Sequence, residues 1–431
     1  MKTRINPFHD LYLSEGIAPG RFVELFSPHF VKHALALYKP GNVILKGLQG
    51  GGKTMLLNLL KPEVRIAYRK ANEKFPVPEK NSHFISAGIN LRISGVIDFG
   101  TLIHKDRDPG FDLKLALLFG DFINYWVADD LLQTIQTLCD ANYSDILDEI
   151  GIINNQTAMD EFAKKLATDQ CWFGYLDGVD SLKSLRERFN ERIFNFKKYI
   201  NLNTDELPEE IINSKTVINE PVSKMVALLR EFKIISPKTE VYIRVDQYEQ
   251  LATLNFSNQY FGQKCANIIH KALAARDPNI FYRIGARHYA WPDAPVIFGT
   301  KDTLENKRDY SIVNIDEVLS RKEDQRSWFF PQFAEDIFRR RLNLTNYDTS
   351  SNKENLLKTV FGVGLSAQEK TEKYVAKPSS REVIARFTQE WPKNWPDPWI
   401  DFLKKLGKKI RYQQYWQGHG SDKKSRKASN Y

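Results

Sequence analysis

Cysteine is scarce in this 431-residue chain: Cys139, Cys171 and Cys265 are the only three. They are odd in number and far apart, with no CxxC pair and no histidine at ligand spacing, which excludes a disulfide framework and a zinc ribbon. They read as reduced, structural thiols. Long apolar runs are also missing. None approaches the roughly 18 to 20 residues needed to cross a bilayer, so a membrane-spanning protein is excluded. The start, Met1-Lys2-Thr3-Arg4-Ile5-Asn6-Pro7-Phe8, has no apolar stretch behind its basic residues, so it does not read as a secretory signal. The cytoplasm is the expected compartment.

The body of the chain also lacks an excess of charge. The net charge is +9, but residues 404–431 hold nine Lys or Arg and one Asp, giving +8, so residues 1–403 sum to about +1. A basic surface spread over a fold is therefore not indicated. The segment 404–431 is too polar to bury a core and is expected to be a disordered tail. It reads either as a solubilising terminus or as an electrostatic arm for nucleic acid or an acidic protein, with Tyr412, Tyr415 and Trp416 able to stack on bases. No internal repeat is visible. What is present is ordinary for a globular protein, 42% hydrophobic and 27% charged residues. The length suffices for two or three domains, or for one α/β domain with a large insertion.

Val43-Ile44-Leu45 is a short apolar run. It leads into Gly47-Leu48-Gln49-Gly50-Gly51-Gly52-Lys53-Thr54, and Met55-Leu56-Leu57-Asn58-Leu59-Leu60 follows at helical spacing until Pro62. Strand, glycine loop and helix in this order make a phosphate cradle. Consecutive backbone N–H groups must turn inward on oxygens, a curvature that side chains obstruct, and Gly50, Gly51 and Gly52 remove the obstruction. Lys53 is placed to meet the β and γ phosphates, Thr54 to offer its hydroxyl to Mg²⁺, and the helix aims its positive end at the anion. Gly47, Gln49 and Met55 complete the candidate nucleotide-binding run. The bland alternative is a glycine-rich turn without function, which the flanking strand and helix argue against.

Further strands are expected at residues 84–93, at Val241-Tyr242-Ile243-Arg244-Val245 and at Ile280-Phe281-Tyr282-Arg283-Ile284. A long helical stretch lies between the first two, and a helix over about residues 258–275 precedes the third. Strands alternating with helices argue α/β, a parallel sheet covered on both faces. After about residue 300 only helical segments are expected. The acidic strand end Asp246 can hold Mg²⁺ beside Thr54. Gln247 stands where a hydrolytic P-loop enzyme often has a Glu. Glu249 is the candidate water polariser, or else a solvated helix-cap residue. Slow hydrolysis, or a switch that mainly binds, follows as a possibility. Arg287, at the end of the next strand, is the candidate γ-phosphate sensor, with Arg283 a weaker one and a surface arginine as the plain reading of both. Arg321 and Arg381 sit in the helical part that can close over the nucleotide, while the triplet Arg339-Arg340-Arg341 can project onto a neighbour as fingers or line a solvated helix face.

Asn306-Lys307-Arg308-Asp309 fits a guanine-reading pattern. No buried strand precedes it and no DxxG follows the phosphate loop in order, so ATP is expected over GTP. Asp98-Phe99-Gly100 matches a kinase triplet by chance, since kinases lack this loop. A small-molecule P-loop kinase has no diagnostic here.

Together these residues resemble AAA+ ATPases, especially bacterial ATPases similar to the Orc/Cdc6 family. The likeness runs through Asn6-Pro7-Phe8, Arg21-Phe22-Val23-Glu24-Leu25-Phe26, the phosphate loop, Asp246 and the strand ending near Arg287. The resemblance implies that residues 1–40 pack near the adenine and that residues 41–300 form the ATPase core. It implies a helical lid over residues 301–403 carrying a sensor arginine, with Arg381 the candidate. About a hundred residues, roughly 100–212, look inserted between Lys53 and Asp246. Gln247 and Arg287 are an arrangement closer to STAND-type signalling ATPases, and too little chain remains for the winged helix of a replication initiator. ATP and Mg²⁺ are the implied cofactors. A dedicated protein partner or a second copy of the chain is the implied contact, nucleic acid through the tail the rival, and antiphage defence a plausible setting.

Overall fold

Val43, Ile44 and Leu45 are buried on both faces of β1 (Val43–Lys46), which is what a central parallel strand requires of a short apolar run. The computed structural model describes residues 16–101, 110–204, 206–254, 261–320, 329–344 and 356–361. It divides into two units, Met1–Tyr347 and Asp348–Tyr431. Of the second, one short helix, Leu356–Phe361, is described. The basic segment 404–431, Arg321 and Arg381 lie outside the described residues.

In the first unit β1 is joined by β2 (Phe84–Asn90), β3 (Glu240–Asp246), β4 (Phe281–Ala286) and β5 (Ser311–Asn314). The order is β2-β3-β4-β1-β5 and every pair is parallel. The fold class is therefore α/β, as expected. All strand ends that follow a parallel strand lie on one rim, and β4 sits between β1 and β3. The phosphate loop after β1, Asp246 at the end of β3 and the residues after β4 thus meet along one edge.

Two boundaries differ from expectation. β2 stops at Asn90 rather than Ile93, because the Arg92 N–H turns back onto Asn90 Oδ1. A strand also lies beyond residue 300, where only helices were expected. β5 is four residues long, half-exposed and without clear alternation, and its stability comes from pairing with β1 in the register Val43–Ser311 to Lys46–Asn314.

The helices before and around the loop are α1 (Pro19–Leu25), α2 (Lys53–Asn58) and α3 (Pro62–Lys70). Between β2 and β3 run α4 (Phe111–Ala141), α5 (Ser144–Ile150), α6 (Gln156–Ala167), α7 (Leu182–Ile200), α8 (Glu209–Asn213) and α9 (Glu220–Glu231). This long excursion shares one apolar core with the sheet. Its first helix, α4, also closes the edge strand: Gly88 N–H donates to Asp130 Oδ2 at 2.7 Å, and the Thr134 hydroxyl donates to the Ser86 carbonyl at 2.9 Å. An edge that would otherwise offer unpaired backbone groups to another chain is thereby satisfied. Then follow α10 (Gln250–Thr253), α11 (Phe261–Ala274), α12 (Ile315–Leu319) and α13 (Phe330–Asn343).

Candidate functional site

The chain leaves β1 through the glycine loop and enters α2 at Lys53. Gly52, the residue before the helix, has φ +92°, a left-handed conformation, and a Cβ there would stand 2.9 Å from the Phe30 ring. Glycine is required on both counts. The Lys53 side chain is folded back on its own loop, donating to the carbonyls of Gly47 at 2.8 Å and Leu48 at 2.7 Å. Burial pushes its ammonium below the usual range, against the pull of Glu249 and Asp246.

Asp246 ends β3 nearly buried. Its carboxylate accepts from the Thr54 hydroxyl and from Gln247 N–H at 2.9 Å, while burial raises it above the ordinary carboxylate range. It lies so close to β4 that a Cβ on Gly285 would be 2.8 Å from Asp246 Oδ1. Gly285 is the residue that lets the acidic strand end sit against its neighbour. Gln247 then turns the chain in a left-handed conformation, φ +61°. Glu249 is brought back to the same rim and is buried rather than solvated. Arg287 Nε donates to Glu249 Oε1 at 2.9 Å. The other oxygen, Oε2, is buried and has no hydrogen-bond partner among the described residues.

These groups line one cavity of about 380 Å³. Gln49, Gly50, Gly51, Gly52, Lys53, Thr54 and Met55 form its floor, Asp246, Glu249 and Arg287 one end. Gly47 lies outside it, on the loop's far side against Ile315 and Asp316. The opposite end is apolar, made by Leu25, Phe26, Phe30, Leu319, Phe333 and Ile337. Phe30 and Phe333 stand 5.0 Å apart, ring centre to ring centre. Within that apolar end the Ser27 hydroxyl is buried without a partner among the described residues.

Other expected residues are elsewhere. Arg283 is fully buried, donates to the carbonyls of Leu37, Lys39 and Gly41, and stacks 3.9 Å over the Tyr242 ring. It staples the turn before β1 and does not face the cavity. Asn306-Lys307-Arg308-Asp309 precedes β5, so it lies at the rim opposite the phosphate loop. There Asp309 pairs with Arg276 and its carbonyl accepts from Asn42, just before β1. A guanine reader would have to stand at the other rim. Phe99 of the kinase-like triplet is a core side chain packed on Phe119 and Phe122. In the arginine triplet, Arg339 pairs with Glu335, and Arg340 pairs with Asp336 and donates to the Val23 carbonyl. Arg341 lines the cavity of its own chain.

Sequence reasoning missed Ser27, Phe30, Arg92 and Arg341 as cavity residues, and Asp316 with His288 beside the loop. None has a local signature. A family model, ORC-CDC6-like, matches residues 15–431. No curated protein and no solved structure matches the chain.

Proposed function

The chain belongs to the ORC-CDC6-like family of AAA+ P-loop ATPases, and from that premise we propose an ATP-binding and ATP-hydrolysing switch acting through a partner protein or a second copy of itself. The observation that carries the reading is the division of one cavity. The cavity as a whole is lined by four cations, Lys53, Arg92, Arg287 and Arg341, and two carboxylates, Asp246 and Glu249, a balance of +2 that complements the double negative charge of magnesium-bound ATP. Its apolar end, where Phe30 and Phe333 pack on each other, offers a purine an apolar wall to lie against, and the Ser27 hydroxyl is available there to a polar atom of the base or sugar. No carboxylate lines that end among the described residues, so the N–H donors of guanine would go unmatched and adenine is preferred.

In this reading Lys53 leaves the Gly47 and Leu48 carbonyls for the β and γ phosphates, while the amides of Gly50 to Thr54 hold the phosphate chain. Thr54 and Asp246 present a hydroxyl and a carboxylate side by side, the hard oxygen donors that magnesium takes, and a cation there would relieve the burial of Asp246. When bound, the ion neutralises phosphate charge. Glu249 uses its unpartnered Oε2 to accept a proton from the attacking water, and Arg287 holds the other oxygen so that the carboxylate points inward.

The lid is assigned to begin after α12, since β5 belongs to the sheet. No described helix is long and apolar enough to cross a membrane. Antiphage defence is the setting we attach to the switch, on its resemblance to signalling ATPases. A second reading, nucleic-acid association, rests on the +8 carried by residues 404–431. It requires binding that weakens with salt and is lost when those residues are removed.

Titration calorimetry of the full chain tests the main reading. Wild type binds MgATP in preference to MgGTP, and Lys53→Ala weakens MgATP by roughly a hundredfold with its melting temperature retained. Equal affinity in the two proteins would remove the phosphate-loop assignment.

A further inference from the structure

Asp316, in the first turn of α12, places its carboxylate against the outer face of the phosphate loop. Leu48 N–H donates to Oδ2 at 2.9 Å, and His288 Nε2 meets the same oxygen at 2.6 Å. Cβ atoms built on Gly47 and Gly51 would stand 3.5 and 3.6 Å from its Oδ1. The residue is 268 positions from Leu48 in sequence and arrives only because β5 pairs with β1.

One peptide unit makes this contact consequential. The Gly47 carbonyl and the Leu48 N–H belong to the same planar, trans peptide, so they point in opposite directions. The carbonyl faces inward and accepts from Lys53 Nζ; the N–H faces outward and donates to Asp316. When a phosphate draws Lys53 away, the inward side of that peptide loses this partner, and the bond to Asp316 still holds its outward side. His288 follows Arg287 in the chain. Consecutive residues after β4 therefore hold the Glu249 segment on one side and Asp316 on the other.

We propose that Asp316, braced by His288, is a positioning residue that fixes the Gly47–Leu48 peptide and so keeps the loop amides and Lys53 aimed at the phosphates. The inference rests on the ATP-binding reading above. It requires no contact between Asp316 and the nucleotide, and it predicts a loss for MgADP as well as MgATP, because the orientation of the whole loop is at stake and not the γ-phosphate alone.

The test measures MgATP and MgADP dissociation constants of the full chain for wild type, Asp316→Ala, Asp316→Asn and His288→Ala, with Lys53→Ala alongside. Asp316→Ala weakens both nucleotides about tenfold, the scale of one hydrogen bond to a charged group. Asp316→Asn keeps an acceptor for Leu48 N–H and restores affinity to within about threefold of wild type. His288→Ala falls between the two. A merely structural role would lower the melting temperature of the nucleotide-free protein without this rescue order. Unchanged affinity in Asp316→Ala, or a loss confined to MgATP, overturns the proposal. If the alanine variant does not fold, unchanged affinity in His288→Ala overturns it equally. Failure of wild type to bind either nucleotide overturns instead the reading on which it rests.

Discussion

Two arginine–carboxylate pairs, one fully buried and one half-buried, are built to opposite ends. In the helical excursion, Arg192 of α7 and Asp121 of α4 are both fully buried, 2.8 Å apart. Arg192 also donates to the Ser214 hydroxyl and to the carbonyls of Ile211 and Ser214, and lies over the rings of Tyr125 and Tyr175 at 4.5 and 4.4 Å. Asp121 Oδ1 takes the Thr216 amide and hydroxyl, each at 2.7 Å. At the cavity proposed to take the nucleotide, Arg287 and Glu249 share one bond, the arginine is 29% exposed, and Glu249 Oε2 has no partner among the described residues. A buried charge costs several kcal/mol unless hydrogen bonds replace its water. The first pair meets that requirement within the fold; the second leaves part of it for a ligand. Between these two pairs the difference lies in hydrogen bonding, not in residue type.

The largest expected effect breaks the closed pair. Arg192→Ala strands the Asp121 carboxylate and is expected to cost about 3 to 5 kcal/mol of stability in denaturant unfolding. The double replacement Arg192→Met with Asp121→Leu recovers much of that loss, because no charge is left buried alone. A single mutant within about 1 kcal/mol of wild type would show that the pair is not the scaffold element described.

Opening the other pair acts on chemistry instead. Glu249→Gln keeps the shape and an acceptor for Arg287 but loses the base. Turnover of ATP is expected to fall about a hundredfold, with MgATP affinity changed less than about threefold. Steady-state phosphate release at saturating ATP reads this directly; unchanged turnover would make Glu249 structural.

The smallest effect sharpens the comparison at the base end. Ser27→Ala deletes a hydroxyl with no partner among the described residues, so nucleotide-free stability should stay within about 0.5 kcal/mol of wild type. MgATP affinity drops about three- to tenfold if the ligand supplies the missing partner. Identical calorimetric affinity would mean the hydroxyl meets nothing.

Legibility in the sequence followed the same division. The run from Val43 to Leu60 carries its geometry locally: apolar strand, glycines where left-handed turns occur, then a helix. Asp246 and the strand before Arg287 were readable as apolar runs with polar ends. β5 was not, being a half-exposed edge strand with only Ile312 and Val313 as apolar residues. Arg283 and Arg287, four positions apart on and just after one strand, were indistinguishable as residue types, yet one staples backbone carbonyls in the core and the other faces the cavity.

By itself, then, the amino-acid order determined the glycine loop proposed as a phosphate cradle, the α/β class and the long helical excursion, because each is written in contiguous residues and their periodicity. Tertiary structure alone decided which side chains join the cradle. Parallel strands return through crossovers, so Asp246, Arg287 and Asp316 meet the loop from distant parts of the chain, on the single rim where the strand ends gather. Which of their polar atoms are already satisfied there depends on neighbours that no local pattern specifies.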